Sequence, residues 1–245
     1  MGFSADRDGL MTRYLNEAEN WKAHLEHTTN FILKSAQNKA KGTCVVLGSG
    51  WWLDVPTEEL SKIFNKLILI DIVHSAQIKH KAKKYPNITL IDADLTESLQ
   101  GIYSKVKSKK FTELSSAVPY FTNFGLAPDF EADFYVSPNV LSQLGGLVSE
   151  FLQKNKKVSG LDISDLKQKI EESHLRSLPS GKSCIIVDYK ENIINTKTGA
   201  TTTNARVEAN LPAGNFNEEW IWDFDLNGNY LPNSHVRFQV RGLDF

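Results

Sequence analysis

The chain has 245 residues, which fits one large domain with an appendage better than two compact domains. Its 41% hydrophobic and 23% charged content excludes a disordered, collagen-like or fibrous chain. With 28 basic and 29 acidic residues, the net charge of −1 gives no global pull onto nucleic acid or an anionic membrane. Two cysteines, Cys44 and Cys184, both sit in apolar runs. That excludes a disulfide framework and a paired-cysteine metal site, and it predicts a reducing, cytoplasmic setting with no metal.

At the start, Asp6, Arg7 and Asp8 lead into no continuous apolar stretch, so no signal peptide is expected. No run approaches the roughly 20 apolar residues of a membrane span, and a soluble, unprocessed chain is predicted. Met11, Tyr14, Ala18, Trp21 and Leu25 recur in steps of three and four, one stripe of a helix. Lys39, Lys41 and Gly42 then read as a stop, which predicts an N-terminal helical cap over residues 1–42.

From residue 43 to 245 short apolar runs alternate with helical stretches. This predicts a doubly wound α/β domain with a mostly parallel sheet. The expected strands are Cys44 to Leu47, Leu67 to Ile70, Ile88 to Ile91, Phe134 to Val136 and Cys184 to Val187. Helices are expected near Thr57 to Asn65, Ser75 to Lys84, Val140 to Gln153 and Ile163 to His174. Asn192 to Asn204, rich in Thr, Asn and Gly, reads as an exposed loop. Trp220, Trp222 and Phe224, the Asn227-Gly228 turn and alternation from His235 to Val240 predict a closing antiparallel pair.

The chemistry concentrates at strand ends. Cys44 to Leu47 runs into Gly48-Ser49-Gly50, where glycines let a ligand approach the backbone. The next strand ends at Asp71, 21 residues after Gly50, where a carboxylate can accept from both hydroxyls of a ribose. A third ends Ile91-Asp92-Ala93-Asp94. Three polar strand ends in order point to a nucleoside pocket. The bulky Trp51-Trp52-Leu53 argues against the dinucleotide fingerprint of a nicotinamide oxidoreductase.

These residues resemble the class I S-adenosylmethionine-dependent methyltransferases over Gly42 to the C-terminus. Val46 to Gly50 is similar to their glycine-rich motif, with Val46 replacing its acid and Trp52 its third glycine. The resemblance implies a seven-stranded sheet with a C-terminal antiparallel hairpin. S-adenosylmethionine is the implied cofactor, lying against Gly48, Ser49, Gly50 and Trp51. Asp71 is expected to hold the ribose, Asp94 the adenine, and Ser137 and Asn139 the methionine end. The implied activity is methyl transfer to a small-molecule acceptor. The alternative is a non-catalytic S-adenosylmethionine- or nucleotide-binding protein of the same fold.

Methyl transfer needs little acid-base machinery, because positioning a nucleophile in line supplies most of the rate. Candidate catalytic residues are His74, as a base, and Asn139 and Gln143, as orienting groups; each also reads as an ordinary helix-terminal polar residue. Asp54 is expected either to meet the cofactor's amino group or to cap the helix near Pro56. The aromatic-rich stretch Phe111 to Phe130 reads as a lid over the acceptor, together with Tyr14 and Trp21, or as packing for extra helices. Two basic runs, Lys79 to Lys84 and Lys105 to Lys110, read as solvated faces rather than a nucleic-acid surface.

Overall fold

The computed structural model describes residues 3–96, 99, 103–104, 130–154 and 160–245. The lid expectation, apart from Phe130, and the second basic run lie outside the described residues.

Among the described residues eight strands form one sheet in the order β3-β2-β1-β4-β5-β8-β7, with β6 pairing with β5 off this path. β1 (Thr43–Leu47), β2 (Lys66–Asp71), β3 (Ile88–Asp92) and β4 (Phe134–Pro138) are parallel to one another and to the first part of β5 (Ser183–Asn195). Runs such as Cys44-Val45-Val46-Leu47 are apolar on both faces because helices cover both. One face packs Cys44, Val46, Leu67, Leu69 and Phe134 against Leu60 of α2 (Thr57–Ile63) and Ile78 of α3 (Ala76–Ala82). The other packs Val45, Leu47, Ile68 and Ile70 with Leu178 just after the helix Gly160–Ser177, here α6. The strand order reverses between β1 and β4. A doubly wound sheet opens a crevice at that point, beyond the carboxyl ends of its strands.

The predicted closing hairpin is present, as β7 (Phe216–Asp225) and β8 (Ser234–Asp244), and β8 runs antiparallel to β5. The sheet has one strand more than the seven expected. β5 continues to Asn195, turns and returns as β6 (Thr201–Ala205), so Asn192 to Asn204 is mostly strand rather than loop. Exposed Thr and Asn side chains disguised it, since neither face of β6 is buried and no alternation marks it. The helix expected over Val140 to Gln153 is split at Gly145 into α4 (Leu141–Leu144) and α5 (Gly146–Lys154). The side chain of Lys167 on α6 presses on Gly145, where a Cβ would sit 2.9 Å from its Cγ.

The N-terminal stripe forms α1 (Phe3–Ala36), interrupted at Glu17 (φ −119°, ψ 17°), and lies across β7. Trp21 and Phe31 are fully buried against Trp222, Phe224 and Phe216, and the Trp21 indole donates to the Phe224 carbonyl at 2.8 Å. At the interruption, the Glu17 carboxylate accepts from the backbone N–H groups of Leu226 and Asn227 in the β7–β8 turn. No helix among the described residues is long and apolar enough to cross a membrane.

Candidate functional site

The crevice is a cavity of about 330 Å³ beyond the ends of β1, β2, β3 and β4, walled on its far side by α1 and the closing hairpin. Among the residues expected from sequence it brings together Gly48, Gly50, Trp51, Asp71, Asp94, Asn139 and Gln143. Ser49, Ser137 and His74 lie behind the wall.

At the first end, the chain leaves β1 through Gly48 (φ +81°) and Gly50 (φ +51°), both in the left-handed region where a side chain is strained. A Cβ on Gly48 would sit 2.7 Å from Val140 Cγ2, whereas one on Gly50 would meet nothing within 4 Å. The first glycine therefore allows close packing on the loop after β4, and the second leaves open space on the cavity side. The Gly48 and Ser49 N–H groups donate to the Ile70 carbonyl, and Gly50 N–H donates to Asp71 Oδ2 at 2.7 Å. Asp94 Oδ1 accepts from the Thr96 N–H and hydroxyl, and its Oδ2 from the Leu99 N–H. The strand-end acids are thus fixed by backbone donors and keep lone pairs for a ligand.

His74 is not among the residues that line the cavity. Its Nδ1 meets Asp92 Oδ1 at 2.6 Å and its Nε2 meets the Ser49 hydroxyl at 3.1 Å, so it pins the glycine loop from behind. Lys79, hydrogen-bonded to Asp92 Oδ2, holds the Asp92 carboxyl well below the usual range against the opposing effect of burial, with His74 adding to the lowering. Ser137 likewise turns away from the cavity, 2.8 Å from His174 Nε2, and burial lowers His174 to about 4. Ser137 lies in β4, where alternation sends its side chain to the far side of a wall whose near side is backbone.

The other end of the cavity was read from sequence only in part, through Asp54, Asn139, Gln143 and Trp21 and without His24 or the hairpin aromatics. Asp54 caps nothing: α2 begins at Thr57, after Pro56 and without a side-chain cap, and Asp54 Oδ2 instead accepts from Asn139 Nδ2 at 2.8 Å. Trp52, with φ +60°, swings the chain so that Asp54 faces the cavity, and burial raises its carboxyl. Asn139, at φ +50°, also lies 3.4 Å from His24 Nε2, while its Oδ1 is buried without a partner. The Gln143 amide donates to the Asn139 carbonyl at 2.6 Å and steadies this turn.

His24 stacks flat on Trp222 at 3.9 Å, and its Nδ1 accepts from the Trp220 indole at 3.0 Å. Burial, with a smaller effect of His27, lowers it to about 3. Trp21, Trp222, Phe224, Tyr230 and Phe238 complete an aromatic wall, with Arg13 over the Phe224 and Tyr230 rings. Asp188, from the bulged part of β5, pairs with Arg206 at 2.8 Å. The legible signal was His24 itself, a polar residue on the stripe of Trp21, Leu25 and Thr28. Of the expected acceptor roof, Trp21 lines the cavity, and Tyr14 packs behind it at a ring distance of 5.9 Å. Lys79 to Lys84 is largely an exposed face, with Lys81 over the Trp52 ring.

No protein-family model matches the chain, and no curated protein matches it. Solved structures do. A 1,6-didemethyltoxoflavin-N1-methyltransferase from Burkholderia thailandensis, holding its substrate and S-adenosylhomocysteine, is similar with a TM-score of 0.43 and 10% identity, over 99% of this chain and 88% of that one. The N-methyltransferase NodS from Bradyrhizobium japonicum, with S-adenosylhomocysteine, gives 0.38 and 11% over 88% and 85%. A SAM-dependent methyltransferase from Aquifex aeolicus gives 0.32 and 14% over 65% and 63%.

Proposed function

We propose that the protein binds S-adenosylmethionine in this cavity and transfers its methyl group to a small-molecule acceptor. The observation that carries the reading is the convergence, at the sheet's reversal point, of the Gly48-to-Gly50 turn with Asp71 and Asp94. The glycine turn gives a ligand backbone access, and two anchored carboxylates stand where a nucleoside needs acceptors. Open space over Gly50 leaves room for a ligand. The volume lies within the range of small-molecule sites.

In this reading Gly48, Gly50 and Trp51 lie along the cofactor, Asp71 accepts from the ribose hydroxyls, Asp94 faces the adenine and Asn139 the methionine end. The bound cofactor supplies an electrophilic methyl on a sulfonium. Ser49 and His74 act through the loop they brace, not on the ligand. The aromatic wall of Trp222, Phe224, Tyr230 and Phe238 excludes water and receives the acceptor.

Calorimetric titration with S-adenosylmethionine, S-adenosylhomocysteine and NAD tests this reading. Micromolar binding of the first two, weakened in Asp71→Ala, supports it; binding of NAD alone, or of none, overturns it.

A further inference from the structure

Hydrogen-bond counting at the far end of the cavity fixes proton positions. An indole N–H only donates, so His24 Nδ1 must accept from Trp220. His24 is buried and neutral at ordinary pH, so its single ring proton is on Nε2. That N–H points at the Asn139 amide, 3.4 Å away, and the same amide atom lies 2.8 Å from Asp54 Oδ2.

Two arrangements follow. With Asp54 ionised, Asn139 Nδ2 donates to it, the His24 N–H meets another donor and Asn139 Oδ1 stays buried and unpaired. With Asp54 protonated, the amide turns over and its oxygen accepts from both Asp54 and His24. The second arrangement pairs both the Asp54 hydroxyl and the His24 N–H and leaves the amide NH2 as its one unpaired group, against two mismatches in the first.

The charged surroundings agree. Asp188 on β5 adds negative potential to Asp54, and Arg206 is taken by Asp188 and Glu191. Arg13 on α1 lies over aromatic rings, and Asp71 stands at the opposite end. Among the described residues no cation forms an ion pair with Asp54.

We propose that Asp54 is the proton acceptor for methyl transfer, switched by turnover of the Asn139 amide, and that the acceptor is an uncharged molecule with an O–H or N–H group. This rests on the cofactor reading above. Asp54 releases its proton to water when a sulfonium cation shares the cavity, and Asn139 Nδ2 then donates to the carboxylate. In the transfer, the acceptor's lone pair forms the bond to the methyl carbon. The carbon–sulfur bond breaks with its electron pair staying on sulfur, and the acceptor's proton moves to Asp54 Oδ2. A sulfonium, a neutral acceptor and a carboxylate become a thioether, a methylated acceptor and a carboxylic acid, with charge conserved.

S-adenosylmethionine and S-adenosylhomocysteine share an amino-acid end and differ in the sulfonium, so their comparison isolates the switch without an acceptor. Calorimetry in buffers of different ionisation heat should show S-adenosylmethionine releasing up to about one proton more than S-adenosylhomocysteine below the apparent pKa of Asp54. There the ratio of their dissociation constants should change by up to about tenfold per pH unit. Asp54→Asn should bind both and abolish the difference.

Equal proton release in the native protein overturns the proposal. So does loss of both ligands in a folded Asp54→Asn protein, which would put Asp54 on the shared amino-acid end. Failure of either ligand to bind the native protein overturns the cofactor reading itself. Infrared spectra of the native protein decide the matter without a variant: a buried carboxylic-acid band present with S-adenosylhomocysteine and lost with S-adenosylmethionine is expected. A band unchanged between them refutes the switch.

Discussion

The two ends of the cavity are built on opposite principles. At the glycine-turn end the cavity-facing carboxylates are held by backbone donors: Asp71 by Gly50, and Asp94 by Thr96 and Leu99. Behind that wall, His74 donates its backbone N–H to Asp92. At the far end the polar groups meet chiefly side chains, Asp54 with Asn139 beside a bond to its own backbone N–H, and His24 with Trp220, and one oxygen has no partner at all. A backbone-anchored group has one geometry, set by the sheet; a group held by side chains has alternatives. The first end suits a ligand of constant shape, and the second suits a step in which protons move.

The largest test of this contrast is Trp21→Ala, which removes a fully buried indole and its bond to Phe224. It should cost about 3–5 kcal/mol of stability in urea unfolding, since it opens a cavity between α1 and the hairpin. The glycine-turn end should still bind S-adenosylhomocysteine in whatever fraction stays folded; loss of binding there would merge the two ends into one unit. Next, Asp71→Ala frees Gly50 N–H and should weaken S-adenosylhomocysteine by about 1–3 kcal/mol in calorimetry.

A pH series sharpens the comparison through groups outside the cavity as well. Burial raises Glu171, whose Oε2 accepts from Glu208 and Ala209 N–H, from 4.5 to about 7. The folded state therefore binds that proton more tightly, and its contribution is whole below 4.5 and lost as pH rises through 7. Burial lowers His24 and His174 from 6.5 to about 3 and about 4, so their contribution is whole above 6.5 and lost as pH falls toward those values. Between 4.5 and 6.5 the two histidines outweigh the one glutamate, so urea midpoints should rise through that window, peak between 6.5 and 7 and fall beyond, and Glu171→Gln should flatten the alkaline limb. The smallest effect belongs to Ser49→Ala. It cuts the His74 brace at 3.1 Å and should cost about 1 kcal/mol of stability, with a slight loss of S-adenosylhomocysteine affinity.

Legibility in the sequence followed the same division. β1, β2 and β4 announced themselves as apolar runs because both faces are covered, and the glycines and acids follow each strand at short range. β6 did not, because its Thr-rich side chains are exposed on both faces and only its pairing with β5 makes it a strand. Asp54 looked like a cap beside Pro56 because local spacing says nothing of the left-handed turn at Trp52 that redirects it. Of the far wall only the α1 side, through Trp21 and Tyr14, was anticipated; the pairing of His24 with Trp220 spans 196 positions of chain and leaves no local pattern.

That separation sets a timetable for synthesis. α1 leaves the ribosome before the hairpin, and the Phe224 carbonyl that receives the Trp21 indole follows 203 positions later. At roughly 5–20 residues per second this is about 10–40 s during which the apolar stripe of α1 has no sheet to cover. Trp21, Phe31 and Ile32 are on that stripe, so the newborn chain presents a sticky amphipathic helix to chaperones for most of its translation. The far wall of the cavity is thus assembled from one element made early and one made late, and it closes only after the glycine turn and its acids are already in place in the chain.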